Sequence, residues 1–475
     1  MRSVVLAACA AAALLAGCAT APAIGADPAV PDTSRPEAVV TRDGTRWEVV
    51  LKLDRDVPIW GFSHSARMRA GPQWRPAQWR VETAGVVLDR INERDVLRSV
   101  DGGPLPREVR LSMTPAPAAM SASYTPALVF SDGSVALYSD QFDVFPLASQ
   151  AAAEALPDDL NGQELGADAT RVTWRDQAGP VLMNGERVVA PTAAGAQTYV
   201  LFGDGGLGTH PGLATVVDPA IPNWIRSTVT DFAPRVMAYY TGRLGAGQTE
   251  RPTVMATWNG PTPGVTSLGG SVLPGLIVAS FEGEGMVEES AEMKTFLSWF
   301  VAHEGAHFWL GQTVAYEFKR DMWITEGGAE MAAFRATQAL DPAFDARGAL
   351  QESVDDCARL AIQPVVQALQ SDDTRAFYAC GAVFALAAEA AQKRATGGDW
   401  FDFLKGLIDG NREDGVVTRD EWLEALLQVT GDPDVRREVD TLLDEGAADP
   451  AELIARLFDR AGIAYRLEDG KVRLL

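Results

Sequence analysis

His303-Glu304-Gly305-Ala306-His307, then 18 residues, then Glu326: this stretch decides how the chain is read. Two imidazoles four residues apart on a helix share one face and can grip a single zinc ion. The Glu between them stands beside the water that such an ion activates. A carboxylate from the next helix adds a third ligand and leaves a fourth position open, as a catalytic site needs. The expected site is therefore His303, His307 and Glu326 around one Zn2+ per chain, with Glu304 as general base.

The whole chain has four His, and two of them fall here. Phe296, Trp299, Phe300, His303, His307 and Leu310 follow helical spacing, which places the histidines on or beside an apolar face. An unpaired imidazole is costly there, and a metal would satisfy it. Glu330 lies one turn beyond Glu326. It can orient a ligand histidine through a hydrogen bond, or it can be a surface Glu.

His303-Glu304-Gly305-Ala306-His307-Phe308-Trp309-Leu310-Gly311-Gln312-Thr313-Val314 resembles the zinc helix of the membrane alanyl aminopeptidase family of gluzincin metallopeptidases. Glu317 to Gly327 resembles that family's third-ligand helix, with Trp309, Gly311, Val314, Glu317, Asp321, Trp323, Glu326 and Gly327 in the expected places. The resemblance is sharp over 300–330 and traceable over about 220–390. It implies a zinc peptidase with a thermolysin-like catalytic domain. It also implies a catalytic tyrosine, and Tyr378-Ala379-Cys380-Gly381 matches that element with Cys380 where the family has Lys. A tyrosine hydroxyl can donate to the oxyanion of the reaction; the plain alternative is a helix aromatic.

One departure bears on specificity. Gly269-Gly270-Ser271-Val272-Leu273 stands where the family has Gly-Ala-Met-Glu-Asn, whose Glu holds the substrate's free amino terminus. Valine cannot pair with an ammonium group, so exopeptidase specificity loses its basis at Val272. Gly269 and Gly270 can still bind an extended peptide by main-chain hydrogen bonds at a sheet edge. Glu282 and Glu284 are other candidate amine anchors, or simply solvated acids.

At the amino terminus, Arg2 precedes an apolar run from Val4 to Leu15, too short for a permanent span. Leu15-Ala16-Gly17-Cys18 resembles a bacterial lipoprotein signal, with Cys18 lipidated; an ordinary signal peptide cut near Ala19-Thr20-Ala21 is the alternative. On the first reading, residues 1–17 are the signal peptide and 18–35 an Ala/Pro-rich tether. Ala19 points to an outer-membrane lipoprotein facing the periplasm, so the membrane becomes a partner through Cys18. Cys357 and Cys380 then remain, either bridged or simply buried.

A net charge of −23 speaks against nucleic-acid binding. Residues 36–200 carry short strand-like runs (47–53, 79–82, 109–113, 134–138) and read as a β-sandwich-like domain, with Trp60, Trp74 and Trp79 as packing residues. Residues 201–395 form the expected catalytic domain, with a helix over 224–240 and strands over 252–258 and 276–281. Beyond 330 the pattern is nearly all helix, and 396–475 is expected to be a helical carboxy-terminal region. Asp409 to Asp420 resembles a calcium loop loosely; a helix–loop–helix capped by Thr418 fits it better.

The fold class is thus α+β, and the expected function is a membrane-anchored zinc peptidase acting on a peptide substrate. A peptidase-like scaffold without turnover and a zinc hydrolase of a non-peptide bond are the alternatives.

Overall fold

The computed structural model describes residues 35–475 apart from 67, 69–72, 119–123, 158, 159, 161, 162 and 372. The expected signal peptide, Cys18 and nearly all of the tether lie outside the described residues.

Period-2 burial builds the amino-terminal part. Strand Arg46–Lys52 alternates buried and exposed positions along its length. It sits inside a six-stranded sheet between Glu37–Asp43 and Glu108–Met113. A four-stranded sheet holds Ile59–Phe62 and Arg94–Ser99, and a five-stranded sheet holds Val135–Tyr138 and Tyr199–Phe202. All three close on one core containing Val40, Val49, Trp60, Leu97, Leu137 and Val200. The sandwich expected from sequence is therefore a three-sheet arrangement. Trp60, Trp74 and Trp79 are packing residues, at most 3% exposed. Strand Tyr199–Phe202 belongs with these sheets, and the next sheet starts at Leu207.

That next sheet runs in the order Leu207–His210, Leu213–Val217, Thr253–Trp258, Leu276–Glu282, Ser267–Leu273. Its three central strands are parallel and both edge pairings are antiparallel. Alternation gives it two apolar faces. Val216, Met255 and Val278 pack against Leu128, Tyr138 and Leu201 of the amino-terminal part. Val217, Val254, Ala256 and Ile277 face the helices.

Three helices carry the expected site. The histidine helix, Ala291–Ala306, starts at Ser290, whose side chain accepts from the Met293 N–H. The glutamate helix, Trp323–Leu340, is buried nearly all round, with Ala329, Ala332, Ala333 and Ala336 at 1% exposure or less. The tyrosine helix, Arg375–Thr396, ends at Gly397 in the left-handed conformation, φ 80°.

The glutamate and tyrosine helices cross at Gly327 and Gly381. A Cβ on Gly327 would sit 2.2 Å from the Gly381 Cα, and one on Gly381 would sit 2.4 Å from the Trp323 carbonyl. Backbone meets backbone there, which brings Glu326 and Tyr378 to the same place.

Cys357 and Cys380 are bridged, Cα to Cα 4.7 Å. The bond joins helix Ala346–Leu360 to the tyrosine helix and contributes about 3 kcal/mol by restricting the unfolded chain. Thr418 and Glu421 form a reciprocal cap, so the 409–420 segment is a helix–loop–helix. One expectation fails at the end of the chain. Instead of continuing as helix, Tyr465–Glu468 and Lys471–Leu474 form a hairpin. Among the described residues, no helix is long and apolar enough to cross a membrane.

Candidate active site

Helical spacing puts His303 and His307 on one side of the histidine helix, His307 being its cap residue. The glutamate helix delivers Glu326 opposite them. The His303 Nε2 and His307 Nε2 atoms are 3.2 Å apart, and each is 3.4 Å from Glu326 Oε2. A tetrahedral ion with bonds of about 2.0–2.1 Å spaces its ligands about 3.3 Å apart. The triangle has that size. Glu326 Oε2 is also buried without a hydrogen-bond partner, so its lone pairs are free for a cation. The donor set and its geometry fit a zinc ion.

A hydrogen bond backs the ring of His307, and a carboxylate at ion-pair distance stands behind that of His303. His307 Nδ1 lies 2.9 Å from the Leu310 carbonyl. A carbonyl only accepts, so Nδ1 carries a proton, and the neutral ring keeps the Nε2 lone pair for a cation. His303 Nδ1 lies 3.3 Å from Glu330 Oε2. Glu330 is 1% exposed and engaged with the site, so the surface alternative is excluded.

Electrostatics point the same way. Burial works against a charge on His303, but Glu326 and Glu330 more than offset it, and its pKa is pushed up to about 10. His307 is raised by Glu326 against the same burial cost. Burial likewise opposes the charge on Glu326, and the two imidazoles still hold it well below the usual carboxylate range. These groups want positive charge between them, which protons or a cation can supply.

Glu304 is half-buried beside the triad. Burial pushes its carboxyl up, the two imidazoles pull it down, and the net direction is upward. That suits a group that must accept and release a proton. Tyr378 stacks on His303 at 5.6 Å between centroids. Its phenol is kept neutral, first by burial and then by Glu326 and Glu304, so it remains a donor.

The structure separates the two glycines of the expected substrate strand. Ser267–Leu273 is an edge strand. The Val272 carbonyl accepts from the Tyr124 hydroxyl at 3.3 Å, so Val272 turns its backbone groups away from the neighbouring strand. Gly270, two residues back, turns the same way, whereas Gly269 faces its partner Ser280. Gly270 thus offers the open edge, and a Cβ there would strike the Phe300 ring at 2.4 Å. Val272 is 8% exposed and packed in the core. Of the other acids considered, Glu282 accepts from Thr262 at 2.7 Å, and Glu284 is exposed on a short turn.

Three supporting residues escaped the sequence reading. Gln312 donates to the Leu273 carbonyl and accepts from the Gly275 N–H, both at 2.9 Å, tying the edge hairpin to the turn after His307. Trp299 donates to Glu330 at 3.1 Å. Arg375 donates to the other oxygen of Glu330 at 2.9 Å. Only Trp299 had a sequence signal, its place on the histidine face.

No family model matches the chain, and no curated protein does. Among solved structures it is similar to the aminopeptidase N family protein from Idiomarina loihiensis. The TM-score is 0.60 at 12% identity, over 91% of this chain and 79% of that one. The fold is that of the aminopeptidase N family protein. An M1 zinc metallopeptidase from Deinococcus radiodurans, bound to a Tyr-Ser-Ala substrate, is also similar. Its TM-score is 0.47 at 13% identity, over 87% of this chain and 94% of that one. The likeness to the aminopeptidase N family protein concerns the path of the chain; the chemistry rests on the residues described above.

Proposed function

We propose that this protein is a zinc-dependent peptidase that hydrolyses peptide bonds. The observation that carries the reading is the convergence of His303, His307 and Glu326 on one point, with Glu304 and Tyr378 beside it. Held by those three ligands, a zinc ion would lower the pKa of a water towards about 7 and polarise the scissile carbonyl. Glu304 takes the proton from the attacking water and passes it to the leaving amine. Tyr378 donates its hydroxyl hydrogen to the oxygen that gains negative charge. Gly270 pairs with the substrate backbone at the sheet edge.

No carboxylate stands at position 272 to hold an ammonium group, so cleavage does not require a free amino terminus. The lipidated Cys18 and the tether over 18–35 hold the enzyme at the outer membrane, facing the periplasm. Zinc analysis together with turnover of matched free and amino-blocked peptides tests the proposal. One zinc per chain and comparable cleavage of both sets are expected. A zinc-loaded protein that cuts neither set would overturn the peptidase reading, and strict dependence on a free amine would overturn the specificity.

A further inference from the structure

One polar chain leads away from the triad, starting buried at Glu330 and ending half-buried at Arg375 and Asp356. Glu330 uses both oxygens: Oε2 accepts from Trp299 and lies 3.3 Å from His303 Nδ1, while Oε1 accepts from Arg375 at 2.9 Å. Arg375 reaches onward, its Nε donating to Asp356 Oδ2 at 3.0 Å. Asp356 also pairs with Arg359 at 2.8 Å. The next residue, Cys357, is bonded to Cys380 on the same helix as Arg375. Metal ligand, carboxylate, guanidinium, carboxylate and disulfide thus follow one another without a break.

Glu330 is a carboxylate at 1% exposure, close to the acids Glu304 and Glu326 that bear on the same imidazoles. A buried anion among other anions needs a cation, and Arg375 is in contact with it. Without Arg375, Oε1 of Glu330 loses its partner and the side chain is free to turn away from His303. That movement removes the carboxylate behind His303 and frees the ring to rotate. A planar guanidinium can serve Glu330 and Asp356 at once; a lysine ammonium cannot span both in the same way.

We infer that Arg375 is a positioning residue of the metal centre: it holds the Glu330 carboxylate aimed at His303, and Asp356 with the Cys357–Cys380 bridge holds Arg375. The inference rests on the zinc reading above and says nothing about the bond that is cut.

The test is the rate at which the zinc-loaded full chain surrenders its metal to a coloured chelator, with thermal unfolding as the check on folding. Arg375→Ala is expected to lose zinc about 10-fold faster or more, the range seen when such outer partners are removed. Arg375→Lys should recover part of the difference, and Asp356→Asn should fall between wild type and Arg375→Ala. Folded Arg375→Ala that keeps zinc as long as wild type overturns the inference. Should Arg375→Ala not fold, Asp356→Asn and Arg375→Lys decide: faster loss supports the role, and wild-type rates in both overturn it. A wild-type chain that takes up no zinc overturns the functional reading and this inference together. Zinc held equally well by wild type and Arg375→Ala overturns this inference alone.

Discussion

The ring of Tyr378 lies over the imidazole of His303, the planes only 20° from parallel. The stack fixes the ring beside His303 whether or not it carries a hydroxyl. Tyr378→Phe should therefore keep the packing and the zinc while losing the donor. Steady-state kinetics should show KM little changed and kcat lower by about 10²–10³-fold, the usual cost of one oxyanion donor. An unchanged kcat would remove Tyr378 from the mechanism.

Glu304 tests a different step. Glu304→Gln preserves shape and leaves the three ligand atoms untouched, but an amide cannot carry a proton from water to the leaving amine. Zinc content should equal that of wild type, and turnover should fall by at least about 10²–10⁴-fold. Retained hydrolysis would falsify the scheme.

Gly381 tests the crossing of the glutamate and tyrosine helices. An added methyl would stand 2.4 Å from the Trp323 carbonyl and 2.7 Å from the Gly327 Cα. Both obstacles are backbone, so the helices must part. Gly381→Ala should cost about 1–3 kcal/mol by overpacking and should lower activity, since Glu326 and Tyr378 flank the contact. A melting curve and an activity assay identical to wild type would show that the crossing yields more easily than the backbone contacts imply.

The convergence of His303, His307 and Glu326 was legible because it depends on short-range geometry: four residues make about one helical turn, and the gap to Glu326 matches a helix–loop–helix. Tyr378 came from motif likeness. Arg375 was not legible, since its partners Glu330 and Asp356 sit on two other helices and only packing brings them together. The same holds for Gln312, whose partners Leu273 and Gly275 are in another sheet hairpin. The terminal hairpin is different. Asp469 and Gly470 both have positive φ, 51° and 75°, and an Asp-Gly pair between two strand-like runs is a recognised turn signal. There, the helical reading of the tail overrode a local cue.

His64 makes a pH prediction in the amino-terminal part. Burial, then Arg75 and Arg94, depresses its pKa from 6.5 to about 4. The unfolded chain thus binds more protons than the folded one between those values. The stability contributed by neutral His64 is present above about pH 6.5 and is lost as pH falls towards 4. Thermal midpoints should decline across that window, and His64→Gln should flatten the decline. An equal decline in the variant would place the acid sensitivity elsewhere.

Membrane attachment can be tested at Cys18. Wild-type protein should sediment with the outer membrane and take up labelled fatty acid. Cys18→Ala should do neither. Soluble wild-type protein without lipid would leave the 18–35 segment with no tethering role.

The bare crossing of Gly327 over Gly381 also bears on when the site is completed as the chain is made. The glutamate helix is buried nearly all round, and part of what buries it is the tyrosine helix, made much later in the sequence. A ribosome that has released His303, His307 and Glu326 has not yet produced the helix that packs against the third of them. The last of the site residues arrive together, with Tyr378, Arg375 and Gly381 on a single helix. A fragment that ends before that helix lacks both the phenol beside His303 and part of the packing behind Glu326.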